Sequence, residues 1–390
     1  MTVFDEIIDR SQTNSVKHDL KETVFGRKDV IPLWVADMDF RTPECISEAI
    51  KERASHEIYG YSFRPDSFYE AAIGWMKRRY QWEPHKNWFS FSPGIVPGIN
   101  MTILALTSPG DKIVIQPPVY FPFFDAVKNN KRTLIENPLY LKNGRYYINF
   151  EDLEEKLKKG VKMLILSNPH NPGGSVWTEN ELKKLGALCH KYNTLIISDE
   201  IHADIIFNGN HFTPMASVSD EIAQRTISFF SPSKTFNIAG LATSVAVIPN
   251  PLLKKKYDAM VEQLHIGNGN LFGTVAFEAA YNHGDKWLDE LLEYLWGNVL
   301  FIENYLNSNI PSIKMIKPEG TYLAWLDCND LNIPQEDIHR FMIEQAKVGF
   351  NEGKSFGSNG KGFERLNFGC PGKILEKALN NISGALKKFS

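Results

Sequence analysis

Three side chains able to do carbonyl chemistry fall in one order along this chain. Asn171 stands in Asn168-Pro169-His170-Asn171-Pro172-Gly173-Gly174. Asp199 closes the apolar run Thr194–Ser198, and Lys234 follows in Ser231-Pro232-Ser233-Lys234-Thr235. A lysine amine condenses with an aldehyde, a buried carboxylate keeps a ring nitrogen protonated, and nearby hydroxyls take a phosphate. That order is the layout of a pyridoxal 5′-phosphate (PLP) site. Asp199 is read as the partner of the pyridine nitrogen and Asn171 as a donor to the phenolic oxygen. Lys234 is read as the lysine that carries the cofactor and, once freed, serves as general acid and base. Ser231 and Ser233 are read as phosphate ligands, together with backbone N–H groups of Gly94, Ile95 and Val96. Those three precede a helix expected over Ile99–Leu106, whose N-terminus favours an anion, and Gly94 allows close backbone approach. Singly, these residues are as well explained as a helix cap, a Pro-Gly turn and a surface lysine; their register carries the argument.

The elements that must position them follow from hydropathy. Lys112–Gln116, Lys162–Ser167, Thr194–Ser198, Thr226–Phe230 and Thr243–Ile248 are short, almost continuous apolar runs, as in strands buried on both faces. A helix opening at Thr178, with Glu181 completing a capping box, lies between two of them. The alternation predicts an α/β domain with a mostly parallel sheet, and such sheets bind ligands beyond the carboxyl ends of their strands. Asn171, Asp199 and Lys234 all fall at or just past such ends. The flanks differ: residues before about 45 are irregular. After Gly284 come a long helix from Lys286 to about Asn307, a strand-like Thr321–Leu326, a helix near Gln335–Lys347 and a closing helix from about Lys373. The expected division is a large domain over 46–284 and a smaller α+β domain from 1–45 and 285–390, since 390 residues exceed one ordinary core.

Composition narrows the function. A net charge of −3 leaves no electrostatic footprint for nucleic acid or an anionic membrane. The first ten residues lack the basic and apolar regions of a signal peptide, and no run is long enough to span a bilayer. The four cysteines are scattered, so neither a disulfide framework nor a metal site is expected, and the chain reads as cytoplasmic. Gly349-Phe350-Asn351-Glu352-Gly353-Lys354-Ser355 is one residue too short for a nucleotide-binding P-loop and is read as part of a surface loop.

At this point the chain resembles the fold-type-I PLP-dependent enzymes of the class I/II aminotransferase superfamily. Within that group it resembles the bacterial cystathionine β-lyase/C–S lyase branch, which includes cystalysin. The likeness is carried by Trp34–Phe40, Tyr59-Gly60-Tyr61, Pro117–Phe123, Asn168–Gly173, Ser198–His202, Pro232–Gly240, Glu319–Tyr322 and Glu364–Phe368. It implies that Tyr120 stacks on the cofactor ring and takes part in catalysis. It implies that Tyr61 reaches the phosphate of a neighbouring subunit, making a homodimer with shared active sites. It also implies that Arg365 grips the substrate α-carboxylate, with the backbone at Ala36 beside it. Three positions depart from relatives. Ala242 replaces an arginine that many aminotransferases use on the phosphate. His202 stands where many have a tyrosine on the phenolic oxygen, leaving both a ring-tuning and a structural role open. Phe121 replaces a second tyrosine of cystalysin.

The same residues would remove the Cα proton in transamination and in β-elimination, so spacing alone does not choose. The resemblance favours a C–S β-lyase acting on cystathionine or related cysteine S-conjugates, giving thiol, pyruvate and ammonia. The alternative is an aminotransferase for neutral or aromatic amino acids. A PLP-binding regulator is a third reading, disfavoured because the fold-like segments start too early for an added DNA-binding domain.

Overall fold

The computed structural model describes residues 2–207 and 209–389. Its centre is a seven-stranded sheet: β1 (Phe89–Ser92), β2 (Lys112–Ile115), β3 (Thr133–Glu136), β4 (Val161–Ser167), β5 (Leu195–Asp199), β6 (Thr226–Phe230) and β7 (Ser244–Val247). The spatial order is β1-β7-β6-β5-β4-β2-β3. Only β7 runs against its neighbours.

Alternate residues of one strand feed two different cores, which is why these strands read as unbroken apolar runs. On β4, Leu164 and Leu166 pack with Leu182 and Leu185 of helix Glu179–Lys191, while Met163 and Ile165 face Ile99, Phe123 and Tyr257. The helix Glu179–Lys191 begins as expected. Thr178 Oγ1 accepts from the Glu181 N–H, and the Glu181 carboxylate accepts from the Thr178 N–H.

Two strands, β1 and β3, escape the sequence reading. The helix expected from Ile99 starts one turn earlier, at Ile95. Pro97 does not stop it, because in the first turn a missing N–H breaks no helical bond.

A second, antiparallel sheet orders β8 (Lys314–Ile316), β9 (Leu323–Asp327), β11 (Phe363–Asn367) and β10 (Asn351–Glu352). Leu326 and Leu366 of this sheet share a core with Leu295, Val299 and Ile302 of helix Asp285–Asn309 and with Leu375, Leu379 and Ile382 of helix Gly372–Phe389. The segment that reads as irregular includes two short helices, Val16–Asp19 and Lys21–Phe25, and Ile31–Pro32 pairs in parallel with Val348–Gly349. The P-loop-like run becomes pieces of two strands and the short 3-10 helix Gly353–Phe356, with no glycine-rich phosphate loop. Among the described residues, no helix is long and apolar enough to cross a membrane, and no group of three metal-binding side chains comes together.

Candidate active site

The parallel strands all point their carboxyl ends at one crevice. Gly94 follows the end of β1, Tyr120 follows β2, Asn171 follows β4, Asp199 ends β5 and Lys234 follows β6. Register sets the middle of the row: Ser167 lies opposite Asp199, and Asp199 opposite Phe229. Tyr120 is tied to the asparagine turn through its N–H, which donates to the Asn171 carbonyl at 3.1 Å.

Arg365 reaches this row from β11 of the smaller sheet. Its Nη1 donates to Asn171 Oδ1 at 2.9 Å, and its Nη2 to the Trp34 carbonyl at 3.0 Å and to Asn351 Oδ1 at 2.6 Å. The guanidinium lies over the Phe356 ring, and its buried Nε has no partner among the described residues. All its acceptors are neutral. Burial therefore pulls Arg365 down to about 10, against the favourable pull of Tyr120 and Tyr322. A buried, forked cation without a carboxylate partner is a site for a bidentate anion.

Lys234 and Arg365 are bridged by the irregular, twice-bent segment 34–40. Lys234 Nζ donates to the Ala36 carbonyl at 2.5 Å, two residues from the carbonyl held by Arg365. Asn367 Nδ2 donates to the carbonyls of Val35 and Asp37, and Asn237 Nδ2 to those of Met38 and Phe40. Asn237 Oδ1 in turn accepts from the Met38 N–H. Behind the segment, Arg10, Lys17 and His18 surround Asp37 and Asp39. The Lys17 side chain is 0% exposed and its Nζ lies 2.7 Å from Asp39. None of these supporting residues was assigned from sequence. The nearest signal was the asparagine placed three residues after Lys234 and another two after Arg365. A cavity of about 700 Å³ opens beside Lys234, Ala36 and Asp37.

Electrostatics differ from one group to the next. Burial lowers Lys234 to about 8, opposed by the carboxylates of Asp37 and Asp199 and aided by the Arg365 charge. Burial lifts Asp199 to about 6 despite a bond from the Ile201 N–H and the nearby Lys234. His202 is pushed down to about 3 by burial and by Lys234 and Arg365, so its imidazole is neutral, and its buried Nδ1 has no partner. Its ring edge packs on Tyr322.

These residues fit pyridoxal phosphate. The N–H groups at Gly94, Ile95 and Val96 open a helix and are free of intrahelical partners. Asp199 is a buried carboxylate short of a positive partner, and Lys234 is an amine near neutrality. The fit is uneven at the serines. The Ser231 hydroxyl donates to the Thr243 carbonyl and accepts from the Ser233 N–H, so it must turn away from Thr243 to meet a phosphate. Ala242 has φ +46 after the short helix Ala239–Leu241, and its methyl offers no charge to the phosphate end. Tyr61 stands apart, 100% exposed, on a loop bordering Arg64, Tyr69 and His265.

Glu200, next to Asp199, is fully buried and raised to about 8 by desolvation. Its Oε1 accepts from the Met215 N–H and Ser228 Oγ, while Oε2 has no partner. A folded-state pKa above the unfolded value gives stability that is complete below about 4.5 and is lost as pH rises through about 8. Glu200→Gln removes that loss. Its apoprotein should match wild type in urea unfolding at pH 5 and exceed it at pH 9 by at least about 1 kcal/mol. Equal stability at both pH values would mean that Glu200 is not buried as a neutral acid.

A model of the aminotransferase class I and II family matches residues 28–382, so the chain belongs to that family. Among its relatives, cystathionine beta-lyase PatB of Bacillus subtilis (strain 168) is 43% identical over 98% of this chain and 99% of its own length. Cystalysin from Treponema denticola, a PLP-containing structure, superposes with a TM-score of 0.96 at 35% identity, covering 99% of both chains. A PLP-bound protein from Clostridium difficile 630, assigned provisionally to the aminotransferases, has a TM-score of 0.96 at 47% identity, covering 98% of this chain and 99% of its own. The expected class of fold, PLP-dependent fold type I, is therefore the observed one.

Proposed function

We propose that this protein is a PLP-dependent C–S β-lyase, cleaving cystathionine or a related cysteine S-conjugate to a thiol, pyruvate and ammonia. The observation that carries an amino-acid substrate is Arg365, a buried guanidinium with only neutral partners beside a lysine amine near neutrality. The choice of C–S cleavage rests on the full-length likeness to PatB and cystalysin.

In this reading Lys234 carries the cofactor and Asp199 pairs with its ring nitrogen. Asn171 and His202 face the phenolic side, and Tyr120 stacks on the ring. Ser231, Ser233 and the N–H groups of Gly94, Ile95 and Val96 hold the phosphate. When bound, PLP supplies an electron sink that acidifies the Cα–H of an amino acid joined to it. The chain does the rest. Arg365 orients the α-carboxylate with both arms of its fork, next to the backbone at Ala36. Lys234 Nζ, neutral in the fraction its lowered pKa provides, takes the proton from Cα. The electrons of the Cα–H bond would form a Cα=Cβ double bond as the thiolate leaves Cβ with the electrons of the C–S bond; the Lys234 ammonium would return its proton to the thiolate, and water would convert the released enamine to pyruvate and ammonia.

Tyr61 supports a homodimer. With Ile58, Tyr59 and Phe63 it puts large apolar side chains into water on one loop, and a phosphate of the neighbouring subunit is the role its motif implies. We also read residues 46–284 as the cofactor domain and 1–45 with 285–390 as the smaller one, the pairing of Ile31–Pro32 with Val348–Gly349 supporting that grouping. A cytoplasmic location is consistent with four cysteines that remain thiols.

The test is an assay with L-cystathionine and no keto acid, following pyruvate, ammonia and free thiol together. Sustained equal release of the three is expected. Turnover only when 2-oxoglutarate or pyruvate is supplied with another amino acid would make the protein an aminotransferase instead.

A further inference from the structure

Tyr322, which packs on His202, closes the motif Glu319-Gly-Thr-Tyr322. Its side chain is fully buried, and its hydroxyl donates to the Ala36 carbonyl at 2.9 Å. That same oxygen accepts from Lys234 Nζ at 2.5 Å. One carbonyl thus takes two donors, as its two lone pairs allow. The backbone behind Tyr322 is held in an unusual state. Thr321, β-branched and buried, has φ +69, and it is kept there by its N–H donating to the Ile205 carbonyl at 2.7 Å and by its Oγ1 accepting from the Leu323 N–H at 3.2 Å. A β-branched residue in the left-handed region is strained, and such strain persists where the surroundings over-determine it. Here it fixes the residue that aims a hydroxyl at the lysine's acceptor.

We infer that Tyr322 is a positioning residue for the amine of Lys234, sharing the Ala36 carbonyl so that this oxygen does not hold the lysine as ammonium. A carbonyl that already accepts one hydrogen bond is a poorer partner for a cation than one that accepts none. The other groups acting on Lys234 are Asp37 and Asp199, which favour the ammonium, and Arg365 and burial, which do not. Tyr322 joins the second group without carrying a charge. Its removal gives the whole carbonyl to Lys234 and moves the amine toward its protonated, unreactive form.

The inference rests on Lys234 being the lysine that carries PLP, and the experiment separates the two. Apoprotein of wild type, Lys234→Ala and Tyr322→Phe is mixed with PLP from pH 6 to 10, and the rate of growth of the visible band of lysine-bound cofactor is recorded. Wild type should form the band and Lys234→Ala should not. Tyr322→Phe removes one oxygen and leaves Ala36 with a donor, so it should stay folded and bind PLP. Its rate midpoint should rise by about half a pH unit, the scale of one altered hydrogen bond. With L-cystathionine its kcat should be about threefold lower at pH 7, converge with wild type above pH 9, and leave KM within twofold. An unshifted or lowered midpoint, a uniform loss of rate at every pH, or failure to fold or take up PLP would each overturn the inference. A wild-type protein that forms no band would instead defeat the assignment of Lys234, and this inference with it.

Discussion

Lys234→Ala should reduce release of pyruvate from L-cystathionine by at least about a thousandfold and abolish the visible band of lysine-bound PLP. In the proposed mechanism the group removed has two roles: it anchors the cofactor, and its freed amine moves the Cα proton, a role worth about a hundred to ten thousandfold by itself. The fold should not suffer. Lys234 is lowered to about 8 by burial, so folding disfavours its ammonium relative to the unfolded chain. A folded pKa below the unfolded value gives stability that is present at high pH and is lost as pH falls through about 8. At pH 7 wild-type apoprotein therefore bears the cost of a buried ammonium, which alanine does not. The variant should melt no lower than wild type at pH 7, and any advantage should shrink as the pH is raised past 8. Cofactor should still associate through Asp199 and the N–H groups at Gly94–Val96, now as the free aldehyde and more easily dialysed away. An unchanged spectrum and rate would refute the whole cofactor assignment; a protein that no longer folds would show that Lys234 serves the core.

How much of this was legible depended on whether a feature is local. Strands β4, β5 and β6 were readable because both of their faces are buried, so no polar alternation hides them. Asn171, Asp199 and Lys234 were readable because each sits where a buried strand stops, and the sheet's direction then forces them together. Strand β1 was not, since Phe89-Ser90-Phe91-Ser92 is four residues long and alternates while all four are buried. Strand β3 was missed because Thr133–Glu136 is only partly covered. Arg365 came from family resemblance, and the structure adds why an arginine suits the place: three neutral oxygens fix its fork while leaving its charge unspent. The partners of segment 34–40 were beyond sequence reasoning. Asn237, Tyr322 and Asn367 lie roughly 200 to 330 positions away from it, and no spacing rule links them to Ala36. Ser231 shows the opposite case: its type suggests a phosphate ligand, and only the structure reveals that its O–H already donates to the Thr243 carbonyl and must turn to meet a phosphate.

Arg365→Ala should raise KM for L-cystathionine and lower kcat/KM by about a hundred to a thousandfold, while PLP stays bound with an unaltered visible band. The size follows from losing a buried, charge-assisted pair with the substrate carboxylate, worth about 3 to 4 kcal/mol. It should appear mainly in binding, because the guanidinium meets the carboxylate before and during proton transfer alike. Arg365→Lys should recover little, since an ammonium cannot offer the planar fork that Asn171, Asn351 and the Trp34 carbonyl hold in place. Stability should move the other way from activity. Arg365 lies below its ordinary pKa because burial disfavours its charge, and no carboxylate repays that cost in the ligand-free protein. The alanine variant should therefore unfold at no lower temperature than wild type when substrate is absent, and should lose the extra stability that amino-acid ligands give wild type. Small carboxylates such as acetate should inhibit wild type competitively and leave the variant unaffected. If the variant sheds PLP with KM unchanged, Arg365 belongs to the cofactor's support, and the cation facing the substrate lies elsewhere. If KM rises and acetate inhibition disappears together, the unspent charge of this one residue explains both the affinity for amino acids and the absence of a protein carboxylate beside it.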